Sequence, residues 1–323
     1  MTVQNTERAF LRVLRAAAER SGVAVETIGM GWIVRFSRGD MVRFAYGYSL
    51  DLNAAATHQI ACDKAATSEV LLAAGIKHVP HHLFLHPGMA KYAPHRGNWS
   101  EMLALCERLK WDVVVKDNAG TGGRGVLRVR TPLELEQAVY TLFDRCTSIA
   151  ISPFVEANTE IRFVMLGGEC ELAFTKMRPS VIGDGRRTAF ELLGDQIARE
   201  GWNSDRRRLI ENLEADTLQG LTVVPPAGSI FLLNWRHNLG QGASASLINP
   251  DDHRLALEIA IRTAAAMNLR FGSIDMLITP DGPSVLEVNA GVMMEYVSRS
   301  IPGGEQMTER VYTKAFEMAF GTA

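Results

Sequence analysis

The chain has only four cysteines in 323 residues, and Cys62, Cys106, Cys146 and Cys170 show no C-x-x-C spacing. Neither a zinc site nor a disulfide framework is indicated, and buried free thiols are the simpler reading. No apolar run is long enough to span a bilayer, and residues 6–20 mix charged with apolar side chains instead of forming a secretory leader. The formal charge is −2 with the signs interspersed. There is therefore no basic footprint for nucleic acid and no polybasic or amphipathic membrane anchor. A cytoplasmic location is the expectation left by default. Internal repeats and low-complexity segments are missing, and so is the G-x-x-x-x-G-K-S/T phosphate loop. What is present is an apolar fraction of 47%, normal for a globular chain with room for two or three packed subdomains.

The stretch that organises the rest is residues 111–129. A β-branched run at 113–115 ends in Lys116, then come Asp117, Asn118 and a loop holding Gly120, Gly122, Gly123 and Gly125. A second apolar strand at 126–129 follows at once. Strand, glycine loop, strand describes a flap, because a phosphate loop would run into a helix. Glycines let backbone N–H groups approach phosphate oxygens with no Cβ in the way, and Lys116 adds a point charge for the same oxygens. A plain glycine-rich hairpin with a surface lysine is the competing reading.

Around this stretch the pattern alternates irregularly between helix and strand. Phe10, Val13, Leu14, Ala17 and Ala18 fall at helical spacing. Short strands are expected at 23–28, 33–36 and 41–44, and a helical stretch follows Asp63-Lys64 and closes at Gly75. Ser100 is placed to cap a helix to residue 109, and Thr131-Pro132-Leu133-Glu134 is a capping box for a helix to about 145. A strand at 149–151, a hairpin at 161–166 and 171–176, two helical segments after Gly185, a strand at 229–235 and a helix at 251–267 complete the series before a last hairpin and a helical tail. The rhythm is not that of a doubly wound sheet. The expected class is α+β with mostly antiparallel sheets.

The last hairpin, 273–278 and 284–288, carries the most informative local pattern: Asp275 on one strand, Glu287 and Asn289 on the other. Residues two apart on a strand share a face, so Glu287 and Asn289 point one way while Leu286 and Val288 point into the core. A turn through Asp281-Gly282 brings Asp275 alongside. Two carboxylates and an amide oxygen make a hard-oxygen site suited to magnesium, which binds through one or two carboxylates plus substrate phosphates. The competing reading is a solvated edge whose carboxylates meet lysines.

Lys64, Lys116, the glycine flap and the D…E-x-N hairpin, in this order, resemble the ATP-grasp superfamily of carboxylate–amine ligases. The resemblance runs from about residue 53 to 289. Arg178-Pro179-Ser180 with Gly183-Asp184-Gly185, and later Trp235-Arg236-His237-Asn238-Leu239-Gly240, look like the corresponding segments of cyanophycin synthetases and bifunctional glutathione synthetases. The resemblance implies an ATP-grasp fold, two α+β subdomains gripping ATP, behind a short and reduced N-terminal domain. It divides the chain into a short N-terminal α/β region (1–56), a linker and helical part of the pre-grasp region (57–112), a small subdomain with the flap (113–157) and a large subdomain with the metal site (158–323).

Carried over residue by residue, the resemblance implies that Lys64 and Lys116 hold the ATP phosphates under a flap of Gly122, Gly123 and Gly125. Phe154, Val155 and Glu156 would pass the adenine, with Glu156 or Glu160 near the ribose. Asp275, Glu287 and Asn289 would bind two Mg2+ ions, for which Mn2+ can substitute, and Arg162, Arg178, Arg236 and Asn238 would face the carboxylate being activated. The implied reaction joins a small-molecule or peptide carboxylate to an amine through an acyl phosphate, releasing ADP and phosphate. A non-catalytic ATP-binding protein and a kinase-like phosphoryl transfer are the alternatives. Relatives often form dimers or tetramers, so a homo-oligomer is a further expectation. Ser152-Pro153 stands where relatives usually carry an acidic residue before the adenine-side aromatic, and Ala243 replaces the second glycine of a pair. His81, His82 and His237 read as loop or surface histidines, Asn238 also as a turn residue, and Trp99, Trp111, Trp202 and Trp235 as packing anchors.

Overall fold

The computed structural model describes residues 8–89, 91–92, 98–157, 159–201, 204–211, 213 and 215–321; Trp202 lies outside them. The elements in chain order are α1 (Ala9–Arg20), β1 (Ala24–Ile28), β2 (Ile33–Arg38), β3 (Met41–Tyr46), β4 (Ser49–Leu50), α2 (Ala55–Ala61), α3 (Lys64–Ala73) and β5 (His82–Leu85). Then follow α4 (Trp99–Arg108), β6 (Val113–Asp117), β7 (Val126–Val129), α5 (Pro132–Phe143), β8 (Ser148–Pro153), β9 (Thr159–Leu166) and β10 (Glu169–Met177). The remainder is β11 (Ser180–Ile182), α6 (Ala189–Glu200), α7 (Ser204–Glu211), α8 (Ala215–Gly220), β12 (Ile230–Leu232), β13 (Ser244–Leu247), α9 (Arg254–Ala266), β14 (Phe271–Thr279), β15 (Gly282–Asn289), α10 (Glu295–Ser300) and α11 (Gly304–Phe320).

These elements form two compact units. The first comprises 1–157, 161–174 and 247–323, the second 158–160 and 175–246. Within the first unit, α1 lays its Phe10–Val13–Leu14–Ala17 stripe toward α11, and Phe10 meets the ring of the fully buried Tyr312 edge-on at 5.8 Å. The main-chain N–H of Phe10 donates to Glu295 Oε1 at 3.0 Å, which ties α1 to α10. β1 to β4 form an antiparallel sheet in chain order.

A second sheet runs in the order β5-β8-β6-β7. Period-two alternation sends Val113, Val115, Ile149 and Ile151 into the core shared with α4 and α5. Val114 and Lys116 therefore occupy the opposite face. Thr131 caps α5 through the main-chain N–H of Glu134, as its capping box predicts. The cap of α4 is Asn98 and not Ser100: the Asn98 side-chain oxygen accepts from the N–H groups of Ser100 and Glu101. An amide two residues earlier reaches the orphan donors of the first turn, so the helix starts two residues sooner, at Trp99.

The third sheet has the order β13-β10-β9-β14-β15. Its apolar face packs on α2, α3 and α9 through Phe163, Met165, Ile274, Met276 and Val288. In the register of β14 and β15, Asp275 opposes Glu287 and Met276 opposes Val285, which leaves Leu286 as an extra residue in a bulge. This corrects the strict alternation expected there. Val285 and Val288 both enter the main core, whereas Leu286 turns toward Val79, Ala157 and Leu277.

The second unit has its own small core of Val181, Leu192, Leu193, Leu209, Leu221 and Leu233, under the two-stranded sheet of β11 and β12. The strand expected at 229–235 is only β12, because Asn234 turns the chain by accepting the N–H of Arg236 at 3.0 Å. The Gly183-Asp184-Gly185 segment is packed against a proline loop: Gly183 N–H donates to Ser229 O at 2.8 Å, and Gly228 N–H donates back to Gly183 O at 2.9 Å. A Cβ at position 183 would overlap the Pro226 carbonyl and lie 2.7 Å from that of Pro225. Gly183→Ala is expected to cost about 1–3 kcal/mol by overpacking. A melting midpoint equal to that of the wild type would refute this.

Candidate nucleotide and metal site

The first unit brings together most of the residues singled out in the sequence. Asp63 caps α3 by accepting the N–H of Ala66, and the helix start is held against the β6–β7 loop by Asn118. The Asn118 side chain accepts the N–H of Ala65 at 3.1 Å, and its main-chain oxygen accepts that of Lys64 at 3.2 Å. Lys64, 9% exposed, then turns its ammonium onto the carbonyl of Gly120 at 2.6 Å. The same ammonium lies 3.7 Å from Glu287 on β15. One lysine thus touches both the glycine loop and the acidic hairpin. Lys116 is also buried, at 7% exposure.

Gly122, Gly123 and Gly125 all have positive φ, between 62° and 71°. Side-chain-bearing residues rarely adopt that conformation, so the loop sequence follows from its backbone path. Phe154, on the same sheet face as Lys116, lies under the guanidinium of Arg128, 3.3 Å from the ring centroid. Arg128 is forked on Asp112 at 2.8 and 2.9 Å. Val155 packs in the small cluster with Val79, while Glu156 is exposed.

Asp275 and Glu287 are direct cross-strand partners, and Asn289 opposes Ser273 two pairs further on. Asp275 is 2% exposed and takes both oxygens to Arg162, from Nε and Nη2 at 2.6 Å each. Each carboxylate of the hairpin is therefore faced by a basic side chain, Arg162 at Asp275 and Lys64 at Glu287. Among the described residues no cluster of three or more His, Cys, Asp and Glu side chains is arranged to hold a metal. The donor set at the hairpin is two carboxylates and an amide, and the buried amide nitrogen of Asn289 has no hydrogen-bond partner. Nothing therefore fixes which end of that amide faces the carboxylates, and its oxygen is available as a ligand. An all-oxygen set of this size fits Mg2+, whose remaining positions are ordinarily filled by phosphate and water.

The other predicted residues belong to the second unit. Glu160 is buried in an ion pair with Lys176. Asn238 caps a short 3-10 turn at Leu239–Gln241, accepting the N–H of Gly240 at 2.9 Å. Arg236 stacks on its neighbour Trp235, 4.5 Å from the ring centroid, and Arg178 directly follows β10. One residue that matters structurally, Lys176, was not singled out. Its signal in the sequence was only a lysine close behind the apolar run at 172–174. His81 and His237 lie in loops and His82 is exposed, as loop or surface histidines would, but both loop histidines are buried.

The fold is the ATP-grasp fold. Residues 233–306 match the family model of the RimK-like ATP-grasp domain. In structure the chain is similar to a bifunctional glutathione synthetase from Pasteurella multocida, with a TM-score of 0.54 at 17% identity, covering 94% of this chain and 44% of that one. It is also similar to the D-alanine–D-alanine ligase of Bacillus anthracis complexed with ATP, with a TM-score of 0.50 at 16% identity over 83% of this chain and 67% of that one. In sequence it is 24% identical over 226 residues to the glutathione biosynthesis bifunctional protein of Streptococcus thermophilus, covering 63% of this chain and 30% of the relative. It is 22% identical over 293 residues to the cyanophycin synthetase of Trichormus variabilis, covering 86% and 30%. The chain thus spans less than a third of the length of these curated relatives. Among the described residues no helix is long and apolar enough to cross a membrane.

Proposed function

We propose that this protein is an ATP- and Mg2+-dependent ligase that joins a carboxylate, of an amino acid or a peptide, to an amine. The observation that carries the reading is Lys64, whose ammonium bonds to the glycine loop at Gly120 and faces Glu287 on the hairpin. Cation, glycine loop and hard-oxygen acids meet at one point, the combination a metal-bound triphosphate requires. Lys64 and Lys116 would take the phosphate oxygens, and Asp275, Glu287 and Asn289 the metal. Magnesium, when bound, would neutralise phosphate charge there.

A carboxylate resists amines because it is an anion with oxide as its leaving group. In the proposed reaction a carboxylate oxygen attacks the γ-phosphorus, the bond to ADP breaks, and an acyl phosphate results. The amine nitrogen then adds to the acyl carbon, the C–O bond to phosphate breaks, and amide, phosphate and a proton leave. Charge builds on the moving phosphoryl group and on the tetrahedral centre, where fixed cations stabilise most. Arg178 and Arg236, with Asn238, are assigned to the activated carboxylate, since a planar guanidinium binds a carboxylate through two parallel bonds; Arg162, whose fork is held by Asp275, would face the same carboxylate through its remaining N–H groups. Closure of the glycine loop would keep water from the acyl phosphate.

The expected result is phosphate release from ATP and magnesium that depends on both an acid and an amine, with an amide of the pair found by mass spectrometry. A panel of amino acids and short peptides is the screen. A phosphorylated acid accumulating without amide, or nucleotide binding without turnover on any pair, would overturn the assignment.

A further inference from the structure

The segment before β5 carries a histidine that the proposed chemistry does not use. Residues 77–79 dock on β15 at Val285: Val79 N–H donates to Val285 O at 2.8 Å, and Val285 N–H donates to Lys77 O at 3.0 Å. Pro80 and His81 follow, and the His81 main-chain N–H is fixed by Ser68 Oγ of α3 at 3.1 Å. His81 is 6% exposed. Its ring lies beside the main chain of Val79, while Nε2 is buried without any hydrogen-bond partner. A neutral ring with its proton at Nδ1, on the Val79 side, presents a bare lone pair at Nε2.

The charged groups facing this imidazole are Lys116 from β6 and Lys64 from α3, with His78 on its own segment; Glu287, which lines the same cavity, is engaged by Lys64. Burial first, and then the two lysines, hold His81 well below the usual histidine range. An orphaned acceptor beside two ammonium groups has a simple chemical consequence. Phosphate oxygens accept hydrogen bonds and do not donate them, so a phosphate seated on these lysines can bond to Nε2 only if Nε2 carries a proton. The incoming negative charge favours that proton, opposite in sign to the effect of the two lysines.

We propose that His81 is a third, proton-dependent cation of the nucleotide cradle, neutral when the cradle is empty and protonated when a nucleoside triphosphate lies on Lys64 and Lys116. The proposal rests on the assignment of those lysines to phosphate. It makes nucleotide binding take up a proton, so affinity weakens as pH rises between the free and the bound pKa of His81.

The test is calorimetry of the wild type and of His81→Gln with the β,γ-imido analogue of ATP and magnesium, in buffers of different ionisation enthalpy at one pH. Glutamine keeps an acceptor but cannot be protonated. The wild type is expected to take up about one proton more per nucleotide than the variant, and its Kd to rise relative to that of the variant by up to about tenfold per pH unit. Equal proton balance in the two proteins overturns the role of His81 and leaves the nucleotide site standing. Failure of the wild type to bind the analogue at all overturns the nucleotide site itself. The imidazole nitrogen resonances of His81 in the labelled wild type give a reading that does not depend on the variant folding. Nε2 must move from the neutral to the protonated position on adding the analogue, and a resonance that stays neutral sinks the proposal.

Discussion

Lys116→Ala is expected to lower nucleotide turnover by roughly 10²- to 10³-fold, the usual cost of losing one preorganised group that stabilises transition-state charge. The residue lies on β6 with its side chain on the face away from the Val113 and Val115 core. Its removal therefore leaves the packing of α4 and α5 untouched. Replacing the buried ammonium by a methyl group removes the desolvation cost of the charge together with the contacts that offset it, and opens a small void. The two effects oppose each other, and the melting midpoint should stay within a few degrees of the wild type. Lys116→Arg should not restore activity, because a planar fork cannot occupy the position of a compact ammonium on a buried strand. The measurements are phosphate release under saturating magnesium and a thermal melt of each variant. Wild-type turnover in the alanine variant would remove the lysine from the site. A collapsed melt would mean that Lys116 serves the fold instead.

How much of this could be read from the chain depends on whether the pattern is local. The strand, glycine loop and strand around Lys116 were legible because period-two alternation and loop glycines are encoded within twenty residues. The D…E-x-N hairpin was legible for the same reason, down to Asp275 lying beside Glu287. The bulge at Leu286 was not, because the pleat alone gives no reason to insert an extra residue, and it comes with the docking of 77–79 on Val285. The ion pair of Arg162 with Asp275 joins residues 113 apart, and it exists because β9 lies next to β14 in the sheet. Strand order of that kind is a property of the whole topology. His81 read as a loop or surface histidine. It lies in a loop, but one pressed between α3 and the hairpin.

The contrast between Glu287 and Asp275 gives the second large effect. Glu287→Gln keeps size and shape at a side chain that is 29% exposed, and Lys64 keeps its bond to the Gly120 carbonyl. The fold should therefore be nearly indifferent to it. Turnover should fall by at least about 10²-fold, and the magnesium concentration for half-maximal rate should rise, because an amide supplies a weaker oxygen to a hard cation than a carboxylate does. Asp275→Asn should behave differently. Arg162 is only 16% exposed in its side chain and forked on that carboxylate, so the substitution strands a buried guanidinium and costs about 3–5 kcal/mol of stability. A chelator titration against activity, paired with a melt of each variant, separates the two roles. Magnesium dependence unchanged in Glu287→Gln would remove the hairpin as the metal site. A loss of stability in Glu287→Gln as large as in Asp275→Asn would show that both carboxylates serve mainly to neutralise the cations beside them. The expected outcome, activity lost with the fold kept at one carboxylate and both lost at the other, follows from burial: the same hairpin presents one acid to ligand and solvent, and anchors the other to an arginine from the neighbouring strand.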